Sequence, residues 1–416
     1  MIRSCPAIIR KGLRLGNHTD KDRVIVAGGG PVGLFAVVRL AGFGIPVTLI
    51  EKSPTVSDDI RASTIHPPTL DMMEPYGIST QAVAGGMPAP QWQIRMHTTG
   101  EKAVFDMDYI SDVTDYPFRL QFEQAKLCEI MDRMLAEEPA VEMLYGTELK
   151  SFEQDEDGVT VHAEKDGEDI SLSAKFLIAA DGATSTIREQ LNLAFEGSMY
   201  PERTVLVTTP FPFHEHLEGI SNVSYCWDTE GNFSLLRLPD RWRASMYFPE
   251  GLTPDEALAT DHIEARLQSI CPSDTPYEVI DKRVYRVHQR IVERYDHGRL
   301  ILAGDAAHLN SPTGGMGMNG GLHDAHNLTE KLNDIWHRNG DLSLLALYSR
   351  QRKPIAEQEI IQQADRNRKR MTEKDPEKRR ASLKELQETT SNPEKLRAYL
   401  MKSSMYDGLA AAAAIA

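Results

Sequence analysis

The sequence predicts an α/β protein in which a parallel-sheet lobe is interrupted by an antiparallel sheet and followed by a helical C-terminal region. Residues 23–51 have the pattern of a buried strand, a glycine-rich turn, a helix and a second buried strand. Residues 194–295 change to short alternating strands with one helical cover. A buried strand at 300–303 then precedes a long amphipathic helix, so late sequence completes the first lobe.

Composition excludes several classes of protein. The 416 residues carry 46 Lys and Arg against 61 Asp and Glu, a net charge of −15, which argues against nucleic-acid partners and anionic membrane surfaces. The 4 cysteines form no CxxC pair, so neither a zinc site nor a redox dithiol is predicted, and we expect no metal. We expect a reducing, cytoplasmic location without membrane attachment, because no apolar run reaches the roughly 20 residues of a membrane helix.

Changes of pattern divide the chain into four predicted parts. Residues 1–22 form a basic extension, which we interpret as a short tail rather than a targeting peptide. The parallel-sheet lobe takes 23–193 and 296–340, and the antiparallel sheet takes 194–295. Residues 341–416 are charged and predicted to be helical.

Local signals predict individual elements within these parts. Apolar residues on one face predict a helix over 124–135. Short strands are predicted at 141–145, 148–152, 159–164, 171–174 and 176–180, and in the middle region at 223–228, 233–238 and 243–248. Helix starts are predicted where a capping residue precedes proline, at Thr253-Pro254, Asp375-Pro376 and Asn392-Pro393.

The turn after the first strand has the signature of a dinucleotide-binding site. Gly28, Gly30 and Gly33 fit GxGxxG. The first glycine permits the tight turn, the second admits a pyrophosphate against bare backbone, and the third allows close packing of helix and strand. Glu51 follows 18 residues after Gly33, where a carboxylate can accept hydrogen bonds from a ribose. No further βα units continue the sheet, which disfavours a simple nicotinamide dehydrogenase.

Two later motifs extend this signature. DGATSTIR occupies 181–188 and GDAAHLNSPTGGMGMNGGLHDA occupies 304–325. With the glycine turn, they resemble the single-component FAD-dependent aromatic hydroxylases, the group A flavoprotein monooxygenases typified by para-hydroxybenzoate hydroxylase. The resemblance spans residues 24–352 and implies a Rossmann-like FAD-binding domain of the glutathione-reductase type with an inserted substrate-binding sheet. The last motif fills each fixed position of the family pattern: Asp305, His308, Pro312, Gly315, Gly317, Asn319 and Asp324.

The resemblance also implies which residues bind FAD. The glycine turn would hold the pyrophosphate, and residues 312–319 would wrap the flavin ring. A helix expected to begin near Gly320 would direct its positive end at that ring. The implied cofactor residues are Gly28, Gly30, Val32, Gly33, Glu51, Lys52, Arg61, Gln124, Leu149, Asp181, Gly182, Asp305, Pro312, Gly315, Gly317, Met318 and Asn319.

Three positions depart from the family pattern. Met316 stands where a glutamine is common, Gly320 follows the asparagine in place of threonine, and Cys128 replaces the usual acid after Gln124. These departures leave the shape of the substrate side open.

The implied reaction is hydroxylation of an activated aromatic or N-heteroaromatic ring. NADH or NADPH would reduce FAD, and O2 would form a flavin C4a-hydroperoxide that transfers oxygen. Two alternatives stay open. One is another FAD oxidoreductase on the same scaffold, such as an oxidase, epoxidase or reductase, and the other is a non-catalytic flavin-binding partner protein.

Substrate residues are the least constrained part of the sequence. Tyr225, Arg237, Arg243 and Tyr247 lie on predicted strands of the middle sheet and are candidates to bind a phenol or carboxylate. Alternating Tyr and Arg on a half-buried strand also fit plain packing and solvent-facing roles. No catalytic base is assigned, and the substrate, the choice of NADH or NADPH and a homodimeric state stay open.

Overall fold

The computed structural model describes residues 21–58, 63–247, 251–310 and 314–416. Its strands are β1 (Val24–Ala27), β2 (Val47–Glu51), β3 (Thr64–Ile65), β4 (Met87–Ala89), β5 (Gln91–Met96), β6 (Lys102–Asp106), β7 (Arg119–Gln121), β8 (Val141–Tyr145), β9 (Thr147–Gln154), β10 (Val159–Lys165), β11 (Glu168–Ala174), β12 (Phe176–Ala179), β13 (Phe195–Thr209), β14 (Val223–Trp227), β15 (Phe233–Arg237), β16 (Trp242–Tyr247), β17 (Asp281–Val292), β18 (Asp296–His297), β19 (Leu300–Leu302) and β20 (His308–Leu309).

Its α-helices are α1 (Pro31–Gly42), α2 (Pro67–Met73), α3 (Ile78–Gly85), α4 (Gln124–Leu135), α5 (Thr186–Gln190), α6 (Phe213–His216), α7 (Pro254–Ala257), α8 (Thr260–Ile270), α9 (Met316–His337), α10 (Ser343–Ile355), α11 (Gln362–Thr372), α12 (Pro376–Thr390), α13 (Pro393–Ser403) and α14 (Tyr406–Ala413). A π-helical segment, Ala356–Ile361, joins α10 to α11. Short 3-10 helices occur at Glu74–Tyr76, Met107–Ile110 and Gly304–Ala306.

The first sheet is built around the predicted strand–helix–strand unit. Its strand order is β18-β19-β12-β1-β2-β8, and neighbouring strands from β19 to β8 run parallel. The strands β1, β12 and β19 are buried along their whole length, as expected for parallel strands covered on both faces. Because these strands are parallel, the carboxyl ends of β1, β2, β12 and β19 meet along one edge, called here the strand-end edge.

Helix α9 packs against α1 and ties late sequence to early sequence. The buried Arg39 of α1 donates from Nε to Thr329 Oγ1 of α9 at 2.7 Å.

Two smaller antiparallel sheets flank this lobe, with orders β11-β10-β9 and β3-β7-β4.

The second large sheet has the order β20-β17-β13-β16-β15-β14-β5-β6. Its strands β5 and β6 come from residues 91–106, before the predicted start of this region at 194, and β5 pairs in parallel with β14. Sequence patterning did not reveal this pairing because it joins strands more than a hundred residues apart. Side chains alternate along β13, β15 and β16, so one face packs against α8 and the other faces the first lobe.

The C-terminal helices cover the outer end of the second sheet. Leu383 and Leu386 of α12 and Leu396 and Leu400 of α13 pack in one cluster with Phe105 of β6. Asp375 caps α12 by accepting from the backbone N–H groups of residues 377 and 378, and Asn392 caps α13. Both predicted caps are therefore confirmed.

The predicted α/β fold class is confirmed, and several elements match residue for residue, among them α4 and β8. The helix start predicted at Thr253-Pro254 is confirmed, although that helix ends at Ala257 and a second helix begins at Thr260. One helix prediction differs from the structure. Helix α9 begins at Met316 rather than near Gly320, because Gly315 takes a left-handed conformation (φ 69°) and forms its N-cap. Within the described residues, no helix has both the length and the apolar character needed to cross a bilayer.

Candidate active site

The glycines of the strand-end edge differ in what surrounds their Cα atoms. Gly28 has φ +107°, and a Cβ there would lie 2.2 Å from the Ala180 carbonyl oxygen. A Cβ on Gly33 would lie 1.9 Å from the Gly28 carbonyl oxygen. A Cβ on Gly30 would meet no atom within 4 Å, because this residue faces an open cavity. Gly28 and Gly33 are thus required by packing of the chain itself, whereas Gly30 leaves space for something else.

Glu51 is fixed in place by backbone N–H groups. Its Oε2 accepts from Gly29 N at 2.6 Å and its Oε1 accepts from Ser53 N at 2.7 Å. Both Glu51 and Ser53 line the cavity. The carboxylate therefore lies beside the glycine turn, as a ribose contact requires.

One cavity of ≈ 510 Å³ runs from the strand-end edge to the second sheet. It is within the size range of small-molecule and cofactor sites. The predicted cofactor residues that line it are Gly28, Gly30, Val32, Glu51, Gln124, Asp181, Gly182, Asp305, Gly315, Gly317 and Met318. Gly33, Lys52, Leu149 and Asn319 do not line it. Arg61 and Pro312 lie outside the described residues.

Asp181 lines this cavity and has one buried acceptor that is unsatisfied among the described residues. Its Oδ2 accepts from Ile187 N at 3.2 Å, but its buried Oδ1 has no hydrogen-bond partner among the described residues. Burial raises the pKa of this carboxyl above its ordinary value. Together with the open space at Gly30, the orphaned oxygen shows that the edge fits a polar, extended cofactor such as FAD.

Arg188, the last residue of DGATSTIR, joins two loops of this edge. Its Nη1 donates to Ala306 O at 3.0 Å and its Nη2 donates to Ala183 O at 2.7 Å. The loop that carries Asp181 is thereby held against the loop that carries Asp305.

A buried ionic network holds α9 beneath the edge. Asp324 Oδ1 accepts from Arg352 Nε at 2.7 Å, and Oδ2 accepts from His308 Nε2 at 2.8 Å and from Gly304 N at 3.1 Å. Burial alone would raise the pKa of Asp324, but the charges and hydrogen bonds of Arg352 and His308 lower it below the ordinary value. The GDAAH and DA parts of the late motif are therefore partners in one network.

Asn319 braces the flavin loop predicted from sequence but does not face the cavity. Its Oδ1 accepts from His66 N at 2.9 Å and from Thr69 Oγ1 at 2.7 Å, while its Nδ2 donates to Thr64 O at 2.8 Å and Gly315 O at 2.6 Å. All four hydrogen bonds of this amide are satisfied inside the protein. Asn319 therefore acts on the cavity indirectly, by holding the loop 314–318 in place.

His66 reinforces the same loop. Its Nε2 lies 2.9 Å from Gly314 O. Burial, with a smaller contribution from nearby Arg119, lowers the pKa of His66 to about 3, so this ring is neutral and its Nε2–H donates.

The cavity-facing residues of β13–β16 form the sheet floor: Thr204, Leu206, Tyr225, Ser234, Leu236, Arg243 and Ser245. Arg243 Nη2 lies 2.8 Å from Oε1 of Glu123, the residue that precedes Gln124 in the sequence. Burial lowers the pKa of Arg243. The negative charge of Glu123 partly offsets this shift, so the guanidinium stays charged and bridges the second sheet and the first lobe. Its Nε and Nη1 atoms have no hydrogen-bond partner among the described residues.

The four substrate candidates therefore have different positions. Tyr225 and Arg243 line the cavity. Arg237 does not, and its Nη2 lies 3.1 Å from His214 Nε2 in an exposed position. The backbone of Tyr247 ends β16, but its side chain lies outside the described part of the chain. Sequence reasoning missed Ser234 and Ser245, although their alternation with apolar residues could have indicated the shared face.

Comparisons with known proteins agree with this geometry. The FAD binding domain family matches residues 21–364. The 6-hydroxy-3-succinoylpyridine 3-monooxygenase of Pseudomonas putida (strain DSM 28022 / S16) is 33% identical over 335 residues, 80% of this chain and 84% of its own. The para-nitrophenol 4-monooxygenase of Pseudomonas sp. (strain WBC-3) is 32% identical over 362 residues, 86% of this chain and 89% of its own.

A solved structure extends the likeness to the whole fold. The crystal structure of p-nitrophenol 4-monooxygenase from Pseudomonas putida DLL-E4 superposes with a TM-score of 0.88 at 29% identity, covering 94% of this chain and 98% of that one. The chain belongs to the FAD binding domain family, and within it to the aromatic hydroxylases. It is an FAD-dependent flavoprotein monooxygenase that uses NAD(P)H.

Proposed function

We propose that this protein hydroxylates a single-ring phenol or hydroxylated N-heteroaromatic compound that binds between FAD and the sheet floor. The observation that carries the proposal is one continuous cavity whose walls are the strand-end edge at one end and the sheet floor at the other. Two relatives are about a third identical to this chain over the aligned residues. By name, one is a monooxygenase of a hydroxylated pyridine and the other is a monooxygenase of a nitrophenol.

The strand-end edge supplies the cofactor contacts in this proposal. The backbone at Gly28–Gly33 and the N-terminus of α1 would bind the pyrophosphate, because N–H groups at a helix start attract phosphate. Glu51 would accept hydrogen bonds from the ribose, with Gln124 and Asp305 further along the cavity. Arg61 and Pro312 stay predictions from sequence, as do the roles of Lys52 and Leu149.

FAD, when bound, would accept a hydride from NADH or NADPH and allow O2 to be activated. In the balanced reaction, ring C–H, O2, NAD(P)H and a proton give ring C–OH, NAD(P)+ and water. One oxygen atom enters the ring, and the other leaves as water.

The chain's own residues orient the ring and exclude water. Leu206 and Leu236 supply apolar surface on the sheet floor, while Ser234, Ser245 and Tyr225 offer hydroxyl groups. Arg243 also lines the cavity and places a positive charge beside the ring. Charge on this arginine is balanced by Glu123, so it favours a neutral or weakly polar oxygen.

The test begins with purified protein. We expect a yellow protein with bound FAD whose NADH or NADPH oxidation is stimulated by some members of a panel of phenols and hydroxypyridines, with little H2O2 released. Bound FAD without stimulation by any ring would contradict hydroxylation and favour an oxidase or a flavin-binding role. The homodimeric state and cytoplasmic location stay predictions, and light scattering and cell fractionation test them.

A further inference from the structure

The N-terminal end of helix α2 contacts two buried side chains of helix α9. Thr69, in the first turn of α2, is fully buried. Its Oγ1 lies 2.7 Å from Asn319 Oδ1 and 2.9 Å from His323 Nε2. These two partners are four residues apart on α9, about one helical turn. One hydroxyl group therefore connects His323 to the asparagine that braces the flavin loop, residues 314–318.

His323 is a buried, neutral histidine that the function proposed above does not use. It is 1% exposed, and it is not one of the fixed positions of the late motif. Burial, with smaller contributions from the charges of Arg352 and His326, lowers the pKa of His323 well below its ordinary value. A neutral imidazole has one N–H donor and one acceptor nitrogen, so the position of its proton decides what it can do.

The direction of the hydrogen bond between His323 and Thr69 follows from the orientation of Asn319. The amide nitrogen of Asn319 donates to two carbonyl oxygens, those of Thr64 and Gly315. The amide oxygen accepts from Thr69 Oγ1, which has a single proton to donate. Thr69 Oγ1 therefore accepts from His323, and the ring carries its proton on Nε2.

The other tautomer of His323 would reverse this chain of hydrogen bonds. With no proton on Nε2, the Thr69 hydroxyl would donate to His323 and turn a lone pair towards Asn319 Oδ1. Two acceptor oxygens would then face each other at 2.7 Å inside the protein. Buried polar groups are costly without a matching partner, so this arrangement would disfavour the observed position of the amide.

Asn319 transmits this constraint to the cavity wall. Its Nδ2 donates to the Gly315 carbonyl at 2.6 Å, and Gly315 forms the N-cap of α9 with φ 69°. Gly315 and Gly317 both line the cavity, whereas Thr69, Asn319 and His323 do not. The three buried side chains thus act on the flavin loop from behind.

We propose that His323 is a positioning residue for FAD binding. Its Nε2–H sets the direction of the Thr69 hydroxyl, and Thr69 and Asn319 then hold the flavin loop in the conformation that binds the cofactor. This inference rests on the proposed place of FAD in the cavity. Because His323 does not line the cavity, it acts through Thr69 and Asn319 and not by contact with the cofactor.

The test measures the FAD affinity of the full chain and the absorption spectrum of the bound flavin, with no aromatic ring present. His323→Leu removes the N–H donor, and we expect FAD binding to weaken by about fivefold, the value of one neutral hydrogen bond, with a shift of the flavin band. His323→Gln can donate an amide N–H to Thr69 and should stay within about twofold of the unmodified protein.

His326→Leu is the matched control. His326 has the same residue type on the same helix, but its ring lies 3.8 Å from Glu330 in a half-buried position, and it does not line the cavity. We expect this variant to leave both the FAD affinity and the flavin spectrum unchanged.

A double variant shows whether the effect passes through Thr69. Thr69→Val removes the hydroxyl with little change of shape and should weaken FAD binding at least as much as His323→Leu. Adding His323→Leu to Thr69→Val should then weaken it by less than about twofold more, because the connection is already broken. Two independent effects would multiply instead.

Several results would overturn the inference. They are unchanged FAD affinity in His323→Leu, an equal loss in His326→Leu, multiplied effects in the double variant, and a His323→Gln protein as weak as His323→Leu. If His323→Leu does not fold, His323→Met takes its place, since it also lacks an N–H donor. A protein with no affinity for FAD contradicts the proposed function itself, whereas failure to hydroxylate any ring leaves this test unaffected.

Discussion

The strand-end edge and the sheet floor line the same cavity, but the edge presents mainly backbone atoms and the floor presents side chains. The edge is made mainly of backbone, with Gly28 and Gly33 packed against carbonyl oxygens and Gly30 facing open space. The floor is made of every second side chain on β13–β16. A site made of backbone depends on conformations that few residues can adopt, whereas a site made of side chains can change by single substitutions without altering the fold.

The two buried arginines extend this comparison to charge. Arg243 on the floor is neutralised by Glu123, an acid from the first lobe, so it holds the layers together as well as facing the cavity. Arg119 has no such partner among the described residues. One arginine is thus paired with an acid from the other layer, and the other is buried without an acidic partner among the described residues.

The largest expected effect separates the two kinds of glycine at the edge. Gly30→Val should fold, because its Cβ meets no atom within 4 Å, but its side chain fills the space for the pyrophosphate. We expect FAD affinity to fall by more than about a hundredfold, with flavin content of the purified variant as the measurement.

Gly33→Val is the matched comparison for that prediction. A Cβ 1.9 Å from the Gly28 carbonyl oxygen forces the backbone apart, so the free energy of unfolding of the protein should fall by about 3 kcal/mol or more. A Gly30→Val protein that stayed yellow, or one that lost stability like Gly33→Val, would contradict the distinction.

Asp324→Asn tests the network beneath the edge. Removing this charge leaves Arg352 buried without its partner, and we expect the free energy of unfolding to fall by about 3–5 kcal/mol. Asp334→Asn on the same helix is the control, because its pair with Arg338 is exposed and should change stability by less than about 1 kcal/mol. Denaturant unfolding of both variants measures the difference.

The same network predicts a pH dependence. The pKa of Asp324 is lower in the folded protein than its ordinary value, so its stabilisation is present above that ordinary value and is lost as pH falls through the lowered one. Denaturant unfolding at a series of acidic pH values should therefore show a steeper loss of stability for the unmodified protein than for Asp324→Asn. Parallel curves for the two proteins would show that Asp324 does not titrate in this way.

Asn319→Ala tests whether bracing the loop matters for the reaction. It removes four hydrogen bonds that connect α9 to residues 64–69 and Gly315, and each buried partner left unpaired costs about 1–3 kcal/mol. We expect about tenfold weaker FAD binding and more H2O2 per NAD(P)H consumed. Asn327→Ala, also on α9, loses one contact to Gln351 of α10 and should keep normal coupling.

Tyr225→Phe should have the smallest effect. It removes one hydroxyl from the sheet floor without changing the ring, so KM for the aromatic substrate should rise by about fivefold, the value of one neutral hydrogen bond. Tyr109→Phe, at an exposed tyrosine away from the cavity lining, is the control. An unchanged KM in Tyr225→Phe would remove this hydroxyl from the site.

The strand-end edge could be predicted because its motifs are local. Gly28–Gly33, Glu51 and Asp181 each follow a strand that hydrophobic patterning identifies, and parallel strands bring their ends together. The pairing of β5 with β14 and the position of Arg119 depend on contacts between distant segments. Asn319 was predicted as a flavin contact because a motif shows which residue is needed, but not which way its side chain points.

The most direct test of the central claim is the origin of the oxygen in the product. The FAD-loaded protein would be supplied with NAD(P)H, an aromatic ring that stimulates its oxidation and 18O-labelled O2, and the product would be analysed by mass spectrometry. We predict one labelled oxygen atom in the hydroxylated ring. Product that takes its oxygen from water, or NAD(P)H oxidation that yields only labelled H2O2, would contradict a monooxygenase acting in this cavity.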